Sequence, residues 1–272
     1  NLFIDVSFIF LKLLQFPHRC SPECFKVENV TFSFLVANVS RLFPGRLSQC
    51  NIEPQGCAHL ASALQENPSF LKYLDLSINP IRDEGAVQLS KKFNLSKLMN
   101  HCELTRLSCG GIGEALGLES SVLWELNLSN NPLSDKGFQL LCEGLKKSLI
   151  YLRTLNLSHC CLSDECCDEL ASGLASSDSR ISELDLSGNE LQDRGVKKLC
   201  VGLKSRSCTL TSLALRCCQL TSKSVTFLVA ALKSNPQYLA ELHLMGNSIE
   251  DSDVEGLLEL IKNQKFALEM IE

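Results

Sequence analysis

The stretch "LRTLNLSHCCLSD", residues 152–164, decides the fold. Alone it can be read as a reactive cysteine site, a metal site, or one unit of a repeating frame. Its spacing recurs. "LWELNLSNNPLSD" begins at Leu123, "ISELDLSGNELQD" at Ile181, "LTSLALRCCQLTS" at Leu210 and "LAELHLMGNSIED" at Leu239. With Leu152, these starts lie 29 residues apart. Upstream, "LKYLDLSINPIRD" begins at Leu71 and a worn copy, "LFPGRLSQCNI", at Leu42, again 29 apart. A fixed period of this length marks a solenoid. The gap from Leu71 to Leu123 is 52 residues, six short of two periods, and the pattern is degenerate from 94 to 122.

Count each start as position 0. Positions 0, 3 and 5 are almost always Leu or Ile, and the alternation of 3 and 5 is that of a strand with one buried face. Position 10 is Leu or Ile in every copy, from Ile52 to Ile249. Position 12 carries Asp83, Asp135, Asp164, Asp193, Ser222 and Asp251, which the pattern predicts to be helix N-caps. Positions 15, 18 and 22 are apolar, as in Val196, Leu199 and Leu203, one face of a helix. Each unit therefore reads strand, loop, helix. The fold class is α/β, a right-handed βα horseshoe with parallel strands on the concave side and helices on the convex side. Position 8 alternates: Cys50, Asn79, then Asn131, Cys160, Asn189, Cys218, Asn247. It demands a small side chain that turns beneath the strand's end, with Asn bonding the loop backbone and Cys packing as a small apolar group. Cys160 and Cys218 are thus frame residues, and Cys161 and Cys217 belong to the solvent edge. The degenerate copy between Asn79 and Asn131 should be of the Cys type, and it contains Cys102 and Cys109.

The chain has 272 residues, a formal charge of −5 and 15 cysteines. The charge argues against a broad nucleic-acid-binding surface. Cysteines at fixed repeat positions point to a reduced, intracellular compartment rather than a disulfide scaffold. The apolar start "NLFIDVSFIFLKLLQF" carries Asp5 and Lys12 and falls short of a membrane span. Residues 1–41 are expected to be a capping or irregular segment, 42–265 an array of about eight repeats, and 266–272 a tail. The chain does not begin with Met, which suggests a fragment.

Residues 181–220, "ISELDLSGNELQDRGVKKLCVGLKSRSCTLTSLALRCCQL", carry both unit types in succession. They resemble the ribonuclease-inhibitor subtype of leucine-rich repeats. Within that subtype they look most like the C-terminal repeats of NOD-like receptors, the NACHT and leucine-rich-repeat family, particularly the fish-type set. The resemblance covers about residues 42 to 265. It implies a cytoplasmic role in innate immunity and the inflammasome, in which the repeats sense a partner and restrain an adjoining NACHT nucleotide-binding domain.

No catalytic or cofactor chemistry is expected. "CGGIGEALG" from Cys109 has no Lys-Ser/Thr and is not a phosphate loop, and no H-E-x-x-H or G-x-S-x-G occurs. His18, Cys20 and Cys24 make at most part of a zinc set. His101 beside Cys102 lacks an orienting group. The Asn127 and Asn156 sequons arise from the repeat's own "LNLS". The informative surface is the inner face. Positions 2 and 4 read Tyr73 and Asp75, Glu125 and Asn127, Thr154 and Asn156, Glu183 and Asp185, Ser212 and Ala214, Glu241 and His243. Five are acidic and none is Lys or Arg, with Lys72, Arg153 and Arg216 at the edges. Such a strip is either a solvated face or a docking surface for a basic protein. Trp124 is either an interface anchor or packed at the rim. Two functions follow: the sensing and autoinhibitory repeats of an immune receptor, or a stand-alone inhibitor of a basic enzyme such as a ribonuclease.

Overall fold

The computed structural model describes residues 47–66, 73–90, 96–117, 123–148 and 151–272. The segment 1–41, with His18, Cys20 and Cys24, lies outside them. Among the described residues, eight short strands form one parallel sheet in sequence order: β1 (Tyr73–Asp75), β2 (Ser96–Leu98), β3 (Glu125–Asn127), β4 (Thr154–Asn156), β5 (Glu183–Asp185), β6 (Ser212–Ala214), β7 (Glu241–His243) and β8 (Met270–Ile271). The helices are α1 (Pro54–Glu66), α2 (Arg82–Ser90), α3 (Arg106–Leu116), α4 (Ser134–Ser148), α5 (Cys167–Ala175), α6 (Gln192–Leu203), α7 (Ser222–Ser234) and α8 (Glu255–Lys262). One strand and one helix make each rung, and rungs stack in order, as an α/β leucine-rich-repeat solenoid requires.

Strand register locates the missing residues. Tyr73 pairs with Ser96 and Lys97 with Leu126. The first step is thus 23 residues and the second 29. The six-residue deficit lies in the rung that begins at Leu71, between α2 and β2, and the rung 94–122 has full length. That rung departs from the pattern in residue type, with Lys97 at position 3. The tail expected at 266–272 is also corrected: Met270 and Ile271 pair with Glu241 and Leu242, so these residues open a further rung.

The core is a column of identical places. Leu157, Leu186 and Leu215 at position 5 are each fully buried, as are Leu162, Leu191 and Leu220 at position 10. Position 8 stitches rungs together. The Asn189 Oδ1 accepts from the Cys160 and Leu162 amides, both at 3.0 Å, and its Nδ2 donates to the carbonyls of Leu157 and Leu186 at 2.9 and 2.8 Å. Asn79, Asn131 and Asn247 repeat this pattern on the rung before each. In the alternate rungs the thiols of Cys102, Cys160 and Cys218 donate instead to the carbonyls of Leu76, Leu128 and Leu186. Cys102 therefore fills position 8 of the rung 94–122, as the alternation predicts.

Position 12 behaves differently from the sequence expectation. The N-caps are Thr105, Ser163 and Thr221 at position 11, whose hydroxyls accept from the amides two residues on. Asp83, Asp135 and Asp193 reach across to the next rung and accept from the backbone and hydroxyl of those caps. The aspartate binds the cap that binds the helix. Burial raises the Asp193 pKa, but hydrogen bonds from Ser224 and Thr221 outweigh it and hold the carboxyl below the ordinary aspartate value. A depressed folded pKa contributes stability above the unfolded pKa of about 3.9, lost as pH falls through the lower folded value. Asp193→Asn should therefore remove part of the acid sensitivity. Its melting temperature should sit below that of the parent at pH 7 and converge with it below about pH 3, by the same linkage. Parallel curves across that range would show that Asp193 is not the coupled group.

Candidate functional site

The strands turn positions 3 and 5 inward, so positions 2 and 4 form the open face of the sheet. Leu126, Leu155 and Leu184 are buried between half-buried or exposed neighbours. The face divides into three parts. Position 2 presents Glu125, Glu183 and Glu241 on alternate strands β3, β5 and β7, with Thr154 and Ser212 between them. At about 4.8 Å per strand, the glutamates recur roughly every 10 Å. Thr154 donates its hydroxyl to Glu183 at 3.2 Å. Burial, then the charges of Glu183 and Asp75, raise the pKa of Glu125. The carboxylates therefore act on one another across the sheet as one negative strip.

Position 4 serves the frame as well as the surface. The side-chain oxygens of Asp75, Asn127, Asn156 and Asp185 each accept from the amide two residues on, at Ser77, Ser129, Ser158 and Ser187. These bonds close the strand into its loop, so the sequons at Asn127 and Asn156 are read out as turns. Asn156 also lies 3.4 Å from Asp185. Both carboxylate oxygens of Asp185 thus accept hydrogen bonds, whereas Asp75 uses one of its two in the turn.

The third part is a charge-balanced end. Arg216 contacts both His243 Nδ1, at 2.9 Å, and Glu272, and His243 Nδ1 lies 2.8 Å from Glu272. His243 Nε2 is 3.8 Å from Glu241. The bonds from Arg216 and then His243 hold the Glu272 carboxyl below the ordinary glutamate value. Arg216 and His243 are committed to neighbours, and the strip is most negative around Glu125 and Glu183. Glu272 escapes a sequence reading that ends the array at 265 and makes 266–272 a tail. Counting 29 from Leu239 reaches Leu268 and would have put Glu272 at position 4.

Trp124 stands beside this strip, immediately before β3, and is 62% exposed. It is not packed away at the rim beside the rung 94–122. Arg153, one strand on, is also exposed, and Lys72 lies outside the described residues. Tyr73 begins β1, but its side chain is not among those described.

The cysteines divide as the repeat dictates. Cys161 and Cys217 are exposed on the loops, at φ +56° and +53°, and the other described cysteines are buried. Burial pushes Cys102 and Cys160 up to about 12 and Cys218 up to about 11. A thiol held protonated in the core is no nucleophile, which removes the His101–Cys102 pairing. Among the described residues no cluster of three or more His, Cys, Asp or Glu is arranged to hold a metal, and no helix is long and apolar enough to cross a membrane.

The family model for the Leucine Rich repeat matches residues 67–90, 120–142, 148–171, 181–200, 206–229 and 235–258, about half of the chain. The chain belongs to the leucine-rich-repeat family. Its repeats are homologous to those of two kinds of protein. It is 37% identical over 113 residues to human NACHT, LRR and PYD domains-containing protein 5, covering 39% of this chain and 9% of that protein. It is 34% identical over 129 residues to the ribonuclease inhibitor of Sus scrofa, covering 45% of this chain and 28% of the inhibitor. This repeat chain therefore spans a minor part of either relative. The crystal structure of a TLR13-ssRNA13 complex aligns over 87% of this chain and 36% of that one, with a TM-score of 0.43 and 18% identity.

Proposed function

We propose that this repeat domain is the sensing and autoinhibitory part of a cytoplasmic innate immune receptor, and that it docks a basic protein partner on the open face of its sheet. The carrying observation is the run of Glu125, Glu183 and Glu241 on alternate strands, with no Lys or Arg at positions 2 or 4 of the described strands. Similarity to proteins named for NACHT, LRR and PYD domains supports an adjoining nucleotide-binding domain. The buried thiols of Cys102, Cys160 and Cys218, none of them in a disulfide, suit a reducing compartment. The restraining role is tested in a receptor that carries these repeats: deleting 42–272 should raise nucleotide-dependent self-assembly, and unchanged assembly would refute it. The second reading, a stand-alone inhibitor of a basic enzyme, draws on the same strip and on similarity to ribonuclease inhibitor. Tight inhibition of a basic ribonuclease by this chain alone would select it.

Both readings make the same demand on the strip. A field-steered encounter slows as salt screens the charges, over a Debye length of about 10 Å at 0.1 M. With a basic ribonuclease as probe, joint Glu183→Lys and Asp185→Lys should slow association by about tenfold or more, with a smaller change in dissociation. Trp124→Ala should instead raise the off-rate with little salt dependence, as for a buried anchor. Equal association rates for parent and charge-reversed chains at about 50 and 300 mM salt would reduce the strip to a solvated face.

A further inference from the structure

The convex side carries a charge that the open face lacks. Residues 192–234 hold eight Lys or Arg and a single acid, Asp193, in a chain of net charge −5. Asp193 is engaged by Thr221 and Ser224 of the next rung. Of the eight cations, Arg216 is tied to His243 and Glu272 on the open face. Arg194 and Lys198 pair with Asp164, and Lys198 also with Asp168. Lys197, Lys204, Lys223 and Lys233 enter no ion pair among the described residues. The Lys197 ammonium stands 5.9 Å from the centroid of the Phe227 ring instead.

Helical periodicity gathers these cations on one face. α6 buries Val196, Leu199, Cys200 and Leu203 and turns Arg194, Lys197, Val201 and Lys204 outward, at i, i+3, i+7 and i+10. Its neighbour α7 turns Lys223, Thr226, Ala230 and Lys233 outward at the same intervals. Val201 is 69% exposed. A solvated surface ordinarily intersperses both signs of charge. Here small and apolar side chains form the centre and cations of one sign form the rim, which is the anatomy of an interface.

The open face offers the complement at the same pitch. Glu125, Thr154 and Glu183 share one position on β3, β4 and β5, so the two glutamates stand about 10 Å apart. Lys197 and Lys204 are seven residues apart along α6 and its C-cap, also about 10 Å, with Val201 between them. We propose that the convex face of α6 and α7 docks on the open face of a second copy of this chain. α6 lies across β3, β4 and β5, its two lysines meet Glu125 and Glu183, and Val201 rests on Thr154. The occupant follows from complementary charge and common spacing. Two different faces meet, so the contact is heterologous and builds a chain or ring of copies rather than a two-fold dimer. This contact rests on the strip being a docking face, as proposed above, but needs no foreign protein. A strip filled in this way is closed to a basic partner, so self-association and partner capture exclude each other.

Mixing two variants tests the contact. Lys197→Glu with Lys204→Glu reverses the convex face and leaves the strip. Glu125→Lys with Glu183→Lys does the opposite. All four side chains lie outside the core, so both variants should melt near the parent. Where a reversal lowers the melt, the corresponding Gln pair takes its place in the same design. In sedimentation at about 50 mM salt the parent should grow in mass with concentration, and at about 300 mM it should revert towards monomer. Each variant alone should associate about tenfold more weakly or worse. Their equimolar mixture should form dimers and nothing larger, because one intact face of each kind remains. The proposal is overturned if the parent is monomeric at about 1 mM protein, if the mixture stays monomeric, or if either variant associates like the parent. A monomeric parent whose capture of a basic ribonuclease still slows with salt would sink this contact alone and leave the docking reading standing. A self-associating parent that ignores the ribonuclease would remove the foreign partner and keep this contact.

Discussion

Asn189→Ala should lower the stability of the array by about 3–9 kcal/mol, because each of three buried polar groups left without a partner costs about 1–3 kcal/mol. The groups are the amides of Cys160 and Leu162 and the carbonyl of Leu157, while the carbonyl of Leu186 keeps the thiol of Cys218. The three belong to the rung before Asn189 and are held by this side chain, which is 2% exposed, so water cannot replace it. Asn189→Asp should be nearly as damaging, since a carboxylate accepts from the two amides but cannot donate to the two carbonyls. Asn247 makes the same kinds of bond at the half-buried last rung. Asn247→Ala should therefore cost clearly less, because solvent reaches the freed groups. Denaturant midpoints for the two variants provide the comparison. Equal losses at both sites would mean that the bonds are of no consequence and that only side-chain volume counts. A repeat array need not unfold in one step, so each midpoint should be followed by more than one probe.

The alternation that exposes Asn189 as a frame residue was legible because every rung faces the same neighbours, so a positional demand is written again and again. Leucines at positions 3, 5 and 10, and Asn or Cys at position 8, carry the fold without help from the structure. Features that join two rungs were less legible. Asp193 looks like a cap because it is the right residue beside the right helix, but its hydrogen-bonding partner, Thr221, lies 28 residues on. A linear pattern cannot separate a residue that caps its own helix from one that holds the next cap. The length deficit was displaced for a related reason. Periodicity detects a rung through its leucines, so the rung with Lys97 at position 3 looked damaged, while the short one before it looked intact. On the candidate site, composition identified the acidic strip. It could not show that Asp75 and Asp185 also close turns, or that Arg216 is tied to His243 and Glu272, because those depend on where side chains reach.

Gly144→Val should be severely destabilising, by about 4 kcal/mol or more, beyond the 1–3 kcal/mol typical of overpacking. The glycine-rich run "CGGIGEALG" explains why. It forms part of α3, and its Gly113 lies against Gly144 of α4 so closely that a Cβ on Gly144 would stand 1.8 Å from the Gly113 carbonyl oxygen. The three nearest atoms are all backbone, so no side chain can swing aside to make room. The overlap is relieved only if the two helices part, which would open the core between them around Leu116 and Leu141. The same contact recurs two rungs on, where a Cβ on Gly202 would stand 2.4 Å from the Ala171 carbonyl oxygen. A gentler variant gives the sharper test, because it predicts a sign. On an exposed helix, Gly→Ala stabilises by about 1 kcal/mol through backbone entropy alone. Gly144→Ala should instead destabilise, by about 2 kcal/mol, because one added carbon already meets that carbonyl. Thermal melts of the parent, Gly144→Ala and Gly144→Val should fall in that order. A Gly144→Ala variant that melts higher than the parent would refute the close approach and leave the glycines as mere flexibility within two loosely packed helices.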